Sequence, residues 1–298
     1  MITFKGTKVV SGIAIGRLFV YMHPDRHISR AQVEDTDAQL QAFHEARRKA
    51  TEQLEQLYES SVTYLGELSA SIFVAQEMLL EDRQYIDYVE KQITESKYSA
   101  AYAVALASDE FSRLFTSIED KYMQSHVADV KDVSERMLRI LCGLEPELIE
   151  PGEPCIIASD DFNAGDIVQF NRENVLGFAT MFGSPVSHAS ILAGTLGLPS
   201  VVGLGQEMLS LYDGMTAIID GIRGELIIDP DKRTLERMKR RQKEYDEQQR
   251  MLLLLKGKNN VTKSGAYINV YANIGSAEGV ETALAYDAGG IRYGCFKS

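Results

Sequence analysis

Apolar residues recur at helical spacing from about Ala31 to Leu141, a stretch with almost no glycine or proline. The spacing of three and four residues places them along one face of each predicted helix. The clearest runs are Leu54, Leu57, Tyr58, Val62, Leu65; Tyr85, Ile86, Val89, Ile93; Phe111, Leu114, Phe115, Ile118, Tyr122; and Val130, Val133, Met137, Leu141. The pattern predicts about four amphipathic helices in succession, which is typical of a helical bundle.

The regions on either side of this stretch have the pattern of strands. The first 20 residues contain β-branched and aromatic runs broken by glycine, which predicts one or two strands. After Gly143 comes a linker-like segment, 145–154, and then short apolar runs separated by turn residues, with one helix from about Ser187 to Leu196. Predicted strands are Cys155–Ala158, Val175–Ala179, Ser200–Val202, Thr216–Ile219 and Glu225–Ile228.

Too few strands lie at the N-terminus to bury their own faces, so we expect them to join the later α/β region. Residues 1–29 and 144–229 would then form one α/β domain, with the all-α bundle of residues 30–143 inserted into it. Residues 230–258 contain a charged connector helix, Asp231–Lys256. Residues 259–298 contain one predicted strand, Ala266–Ile274, and one predicted helix after it. This is the pattern expected at the truncated start of a larger β/α domain. We therefore expect the chain to be a fragment of a longer protein.

Composition excludes several classes of protein. The chain has 298 residues, 45% apolar and 25% charged, and its net charge of −12 opposes binding to nucleic acid or anionic lipid. Residues 30–143 carry 21 Asp and Glu against 12 Lys and Arg, which favours a basic partner. No apolar run approaches the roughly 20 residues of a membrane span, so we expect a cytoplasmic protein without membrane insertion.

The segment Val175–Gly203 is the strongest candidate for chemistry. A predicted strand leads into a Gly/Ser/Pro turn, and His188 follows at the first turn of a helix of small residues. Free N–H groups and the helix dipole at such an end favour a bound anion, and the hydroxyls of Ser187 and Ser190 would add hydrogen bonds. The same positive end favours a neutral, nucleophilic imidazole. Taken alone, such a histidine more often caps the helix or fills a gap.

The whole segment, however, resembles the phosphohistidine signature of phosphoenolpyruvate-utilising enzymes. The matching residues are Gly183, Ser187, His188, Ala189, Ser190, Ile191, Leu192, Ala193, Pro199, Val201, Val202 and Gly203. Within the bundle, Ser71–Asp82 and His126–Gly143 are similar to the carrier-binding helices of the enzyme I family of the bacterial sugar phosphotransferase system. The resemblance extends from about residue 3 to residue 290 and implies a swivelling phosphohistidine domain and, at residue 259, the start of a phosphoenolpyruvate-binding barrel.

The resemblance implies that His188 accepts phosphate from phosphoenolpyruvate bound on the barrel and donates it to a histidine-containing phosphocarrier protein. Mg²⁺ would be bound by the barrel in the full-length enzyme, so no metal or cofactor is expected here. The carrier would dock on the first two bundle helices, where acidic and apolar side chains are the candidate contacts. These candidates are Glu67, Ile72, Phe73, Met78, Leu79, Glu81 and Asp82. His126, further along the bundle, is another candidate contact.

The chain departs from the family pattern in four features. Gly183 is followed by Ser184, Pro185 and Val186 where the family has glycine, arginine and threonine, and Gly194 replaces an arginine. His126 stands where arginine is common, and Arg292 is not at the place of the phosphate-binding arginine. Two alternatives remain open: the phosphohistidine domain of a dikinase-like enzyme, although no P-loop is present, and a non-catalytic adaptor that binds the carrier.

Overall fold

The computed structural model describes residues 1–23, 28–30, 32–144, 151–170, 172–255, 257–258, 260–274, 280, 283–284 and 288–293. The described chain divides into two compact units, Met1–Asp231 and Lys232–Ser298. No helix in the described residues is long and apolar enough to cross a membrane.

In the part of the chain that the structure describes, the bundle has five helices. They are α1 Thr36–Leu65, α2 Glu67–Glu81, α3 Arg83–Thr94, α4 Ala100–Ser117 and α5 Lys121–Leu141. One more helix is present than the about four predicted, because the long apolar pattern is interrupted twice. Gly66, at φ +79°, separates α1 from α2. Asp82 separates α2 from α3, where its carboxylate accepts the backbone N–H groups of Gln84 and Tyr85.

An eight-stranded mixed sheet forms the α/β part of the first unit. Its strands are β1 Ile2–Lys5, β2 Thr7–Val10, β3 Ile13–Tyr21, β4 Cys155–Ser159, β5 Val175–Thr180, β6 Ser200–Val202, β7 Thr216–Asp220 and β8 Glu225–Ile228, in the order β1-β8-β7-β3-β4-β5-β6-β2. The N-terminus supplies three strands instead of the one or two predicted. Their place in this sheet, with β3 between β7 and β4, confirms that they join the later region.

Two short helices, α6 Ala164–Gln169 and α7 His188–Thr195, follow β4 and β5. The latter confirms the helix predicted between Ser187 and Leu196, which are its caps. One hydrophobic core includes Phe43, Leu54 and Tyr85 of the bundle together with Phe162 and Leu192 of the α/β part. The bundle is therefore packed against the side of the sheet that carries α7, and the fold class predicted from the sequence is confirmed.

The second unit contains α8 Lys232–Leu253, three residues shorter at its C-terminal end than predicted. It also contains a parallel strand pair, β9 Ala272–Ile274 and β10 Ile291–Tyr293. The strand predicted over Ala266–Ile274 forms only in its last three residues. Most of the helix predicted after it, between 276 and 287, lies outside the described residues.

Candidate functional site

The turn between β5 and α7 places His188 at the first position of its helix. Ser187 is the N-cap, with extended backbone geometry, and its hydroxyl accepts the backbone N–H of Ser190 at 3.2 Å. The Thr180 hydroxyl at the end of β5 donates to the carbonyl of Phe182 at 2.6 Å, which holds the start of the turn. The sequence-based placement of His188 at a helix start is therefore confirmed.

Gly183 is required by this turn. Its φ of +97° is unfavourable for residues with a side chain, and a Cβ at this position would lie 2.9 Å from Oδ1 of Asp161. Gly194, in the last turn of α7, is different: a Cβ there would have no neighbour closer than Val10 at 4.0 Å. The family's arginine at this position would therefore find space.

The hydroxyl of Ser190 supports the turn itself. Ser190 is buried, and its hydroxyl donates to the carbonyl of Ser184 at 2.7 Å. It also accepts a hydrogen bond from the hydroxyl of Ser187 at 3.1 Å. Both hydroxyls therefore donate within the turn in this structure, and their hydrogen bonding to an anion stays a prediction.

The carboxylate of Asp129, on α5 of the bundle, lies against the His188 ring. Its Oδ1 is 3.4 Å from Nδ1 of His188, and its Oδ2 is 2.9 Å from Nδ1 of His126, one helical turn earlier on α5. The Asp129 side chain is only 7% exposed, and that of His188 is 23% exposed. The sequence-based interpretation did not include Asp129, which is 59 positions from His188 and lies in the other structural layer.

Three apolar side chains of the turn and of α7 are exposed to solvent, and we call them the apolar rim. Val186 is 80% exposed, and Phe182 and Ile191 are each 49% exposed. Val186 occupies the position at which the family has threonine, so the turn presents a methyl-bearing surface there instead of a hydroxyl. An exposed apolar rim beside a reactive group is typical of a surface that contacts another protein.

A second cluster of titratable residues lies in the α/β part, between β3, β4 and α6. The Nδ1 of His23 is 2.8 Å from Oδ1 of Asp160, and its Nε2 is 3.4 Å from Oδ2 of Asp166. Burial opposes the charged imidazole, but the two carboxylates outweigh burial and raise the pKa of His23 to about 9. Burial likewise opposes ionisation of Asp160, yet the contact with His23 lowers its pKa to about 2.

Asp132 connects this cluster to the bundle. It lies one turn after Asp129 on α5 and accepts a hydrogen bond from the side-chain amide of Gln76 at 3.1 Å. Burial, followed by the charges of Asp129 and Asp166, raises the pKa of Asp132 to about 8. This carboxyl group is therefore largely protonated at neutral pH, unlike that of Asp160.

The predicted docking residues divide by exposure. Met78 is 67% exposed, and Glu67 and Glu81 are also exposed, whereas Ile72 and Leu79 are half-buried against the core. Phe73 is 1% exposed, so its predicted place in an interface is wrong: it belongs to the bundle core, because the same apolar stripe that would serve docking is needed for packing. Asp82 is exposed, but its carboxylate also caps α3. His126 is not on the docking helices and lies at the His188 site.

Comparison with known proteins places the chain among proteins of this architecture. The protein-family model for the N-terminal region of PEP-utilising enzymes matches residues 5–126 of this chain. The family model for the mobile domain of these enzymes matches residues 151–224. The phosphoenolpyruvate-protein phosphotransferase of Bacillus subtilis (strain 168) is 32% identical over 297 residues, which is 99% of this chain and 51% of that protein. That of Geobacillus stearothermophilus is 32% identical over 97% of this chain and 50% of its own length. The chain spans about half the length of the curated relatives it matches.

Two solved structures have a similar fold. A solution NMR structure of enzyme I (nEIt) has a TM-score of 0.69 and 30% identity, covering 82% of this chain and 99% of that one. The N-terminal domain of Enzyme 1 - Nitrogen, at 22% identity and a TM-score of 0.54, shares the fold. This chain therefore belongs to the enzyme I family of phosphoenolpyruvate-utilising enzymes, the phosphoenolpyruvate-protein phosphotransferases.

Proposed function

We propose that His188 carries a phosphoryl group on Nε2 and exchanges it with a histidine of a small phosphocarrier protein. The observation that carries the proposal is the contact between Nδ1 of His188 and the buried carboxylate of Asp129. A carboxylate accepts hydrogen bonds and does not donate them, so it favours the tautomer with the proton on Nδ1. The lone pair is then on Nε2, at the other edge of the ring.

The transfer step follows from this arrangement. The Nε2 lone pair of His188 attacks the phosphorus of the carrier's phosphohistidine, a new P–N bond forms, and the old P–N bond breaks with its electron pair returning to the carrier's imidazole. The proton on Nδ1 of His188 stays in place. The phosphorylated ring is then cationic, and the Asp129 carboxylate offsets that charge. Such a ring is also a competent leaving group, so the transfer is reversible.

The partner is proposed from the charge and shape of the exposed surfaces. The bundle carries most of the chain's negative charge, and Glu67, Met78 and Glu81 on α2 are exposed. Acidic side chains around an apolar centre suit a small basic carrier, because complementary charge speeds and orients the encounter. The apolar rim of Phe182, Val186 and Ile191 would exclude water around the reacting nitrogen.

Phosphoenolpyruvate and Mg²⁺ are assigned to a part of the full-length enzyme beyond the first unit. Among the described residues there is no group of three or more His, Cys, Asp or Glu side chains arranged to hold a metal ion. The first unit is proposed to act in the second half of the relay, between His188 and the carrier.

The test is phosphoryl exchange with the carrier. The chain is mixed with ³²P-labelled phosphorylated carrier, and we expect acid-labile, base-stable label on the wild type and none on His188→Ala. His44→Ala is the matched control, because His44 is a half-exposed bundle histidine paired with Glu90 at 3.5 Å and should retain the label. Labelling by ATP without carrier would favour a dikinase relative instead, and carrier binding without label would favour an adaptor.

A further inference from the structure

Asp129 is shared by two imidazoles. One carboxylate oxygen faces Nδ1 of His188 on α7, and the other faces Nδ1 of His126 on α5. The 2.9 Å contact to His126 is at hydrogen-bond distance, whereas the 3.4 Å contact to His188 is that of an ion pair. Within the described residues, no aligned hydrogen-bond donor reaches the buried Oδ1 of Asp129. Since such an oxygen is costly to leave unsatisfied, a small rotation of the His188 ring toward it would be favourable.

We propose that Asp129 and His126 are positioning residues for the phosphoryl-accepting ring: His126 holds the Asp129 carboxylate, and Asp129 fixes the orientation and tautomer of His188. The inference rests on the proposed function of His188 and adds two residues to it. Neither touches the reacting phosphorus. Both act through the placement of the His188 ring.

The positioning role of His126 follows from its contact with one of the two oxygens of the Asp129 carboxylate. Asp129 is almost fully buried, so the donor on Oδ2 decides which way the carboxylate plane turns. The His126 ring is itself held in place, with Phe115 of α4 packed against it at a centroid distance of 6.3 Å. Removing the His126 donor frees the carboxylate to rotate, and Oδ1 then no longer has a fixed position beside His188.

The same contact gives the bundle a second role. His188 is carried by the α/β part, whereas its proton acceptor comes from α5, and the shared hydrophobic core sets the distance between them. The ring is therefore correctly oriented only while the bundle is packed against α7. The inserted bundle, proposed above as the docking element, also completes the phosphoryl site.

Asp129→Asn is the most informative change. An amide side chain presents one acceptor and one donor group, so it accepts the Nδ1 proton of only one imidazole, and the other ring must present a lone pair. We expect exchange with the phosphorylated carrier to slow by about 10-fold or more, since a wrong histidine tautomer is costly in related carboxylate–histidine pairs. The long-range ¹H–¹⁵N spectrum of the five histidines should show a tautomer change at His126 or His188.

Two His126 variants separate positioning from simple stability. His126→Asn keeps an N–H group close to the position of Nδ1 and should leave the exchange within about 2-fold of wild type, whereas His126→Ala should slow it several-fold. In the double variant Asp129→Asn with His126→Ala, the His126 ring is absent, so the amide oxygen of the new asparagine can accept the Nδ1 proton of His188. The double variant should therefore exchange faster than Asp129→Asn alone.

Asp132→Asn is the matched control on the same helix. Asp132 is half-buried, and because its pKa is raised to about 8 its neutral side chain resembles asparagine. The exchange rate of the Asp132→Asn variant and its His188 ¹⁵N signals should stay at the wild-type values. Folding of each variant is checked by its amide spectrum.

The outcomes distinguish this inference from the proposed function. If the wild type takes no label from the carrier, the function of His188 itself is refuted. If the wild type is labelled on His188 but His126→Ala exchanges at the wild-type rate with unchanged His188 signals, the positioning role is overturned. The His126 variants decide the matter even if Asp129→Asn does not fold.

Discussion

His23 is expected to make the stability of the first unit depend on pH in the alkaline range. Its imidazole lies between the carboxylates of Asp160 and Asp166, and its pKa is raised from 6.5 to about 9. A group whose pKa is raised by folding stabilises the folded state fully below its unfolded pKa, and this contribution is lost as the pH rises through the folded value. The window in which stability falls is therefore about pH 6.5 to 9.

The magnitude follows from the size of the shift. At about 1.4 kcal/mol for each pKa unit, a rise from 6.5 to about 9 corresponds to roughly 3 kcal/mol. The Asp160 side chain is 33% exposed, however, so solvent screens part of the attraction and we take about 2 kcal/mol. His23→Gln should therefore lower the free energy of unfolding by about 2 kcal/mol at pH 6. At pH 10 the deficit should fall below about 1 kcal/mol, the value of an ordinary hydrogen bond.

The assay is urea unfolding followed by far-UV circular dichroism at pH 6, 8 and 10, since the chain has no tryptophan. The difference between variant and wild type isolates His23 from the other groups that titrate in this range. His44→Gln is the control: the side chains of His44 and Glu90 are 46% and 37% exposed, so the change should stay within about 0.5 kcal/mol at every pH. A deficit for His23→Gln that is equal at pH 6 and pH 10 would refute the ion-pair explanation.

Two glycines and two bundle residues give further predictions. Gly183→Ala should lower the free energy of unfolding by about 1 kcal/mol or more in thermal unfolding, because Gly183 has a positive φ and its Cβ would meet the Asp161 oxygen. Gly194→Ala should raise the free energy of unfolding by about 0.5 to 1 kcal/mol, because Gly194 is exposed within α7 and has space for a Cβ. Changes of the same sign in the two variants would contradict this contrast. Met78→Asp should weaken binding of the carrier in calorimetry with little loss of stability, because Met78 is 67% exposed. Phe73→Ala should cost about 3 to 5 kcal/mol of stability, because Phe73 is buried; intact stability in this variant would refute its place in the core.

Periodicity was sufficient to predict the layers of this fold. Apolar spacing located the bundle helices and the strands β4 to β8, and the short N-terminal strands had no other sheet to join. The number of bundle helices was harder to predict, because α1, α2 and α3 share one continuous apolar pattern. Gly66 and Asp82 interrupt it through local backbone chemistry, a positive φ and a side-chain cap, which periodicity does not record.

Docking residues were predicted with less success, because an apolar stripe on a helix has two possible uses. Phe73 and Met78 both belong to the apolar pattern of α2, yet one is buried and the other is exposed. Only the position of the neighbouring helices decides which way each side chain points. Asp82 illustrates the same difficulty for charge, because an acidic residue at a helix boundary serves first as a cap.

The candidate site shows what a local motif leaves out. Ser187 and His188 were identified because the turn, the cap and the helix start are contiguous in the sequence. Asp129 comes from the inserted bundle and meets His188 only when the bundle and the α/β part share one core. The helix start alone argues for a neutral imidazole, but it does not say which nitrogen carries the proton. Under the proposed function, the Asp129 carboxylate makes that choice. If it does, the turn separated from its bundle would keep His188 and its cap but lose the group that favours Nε2 as the attacking nitrogen.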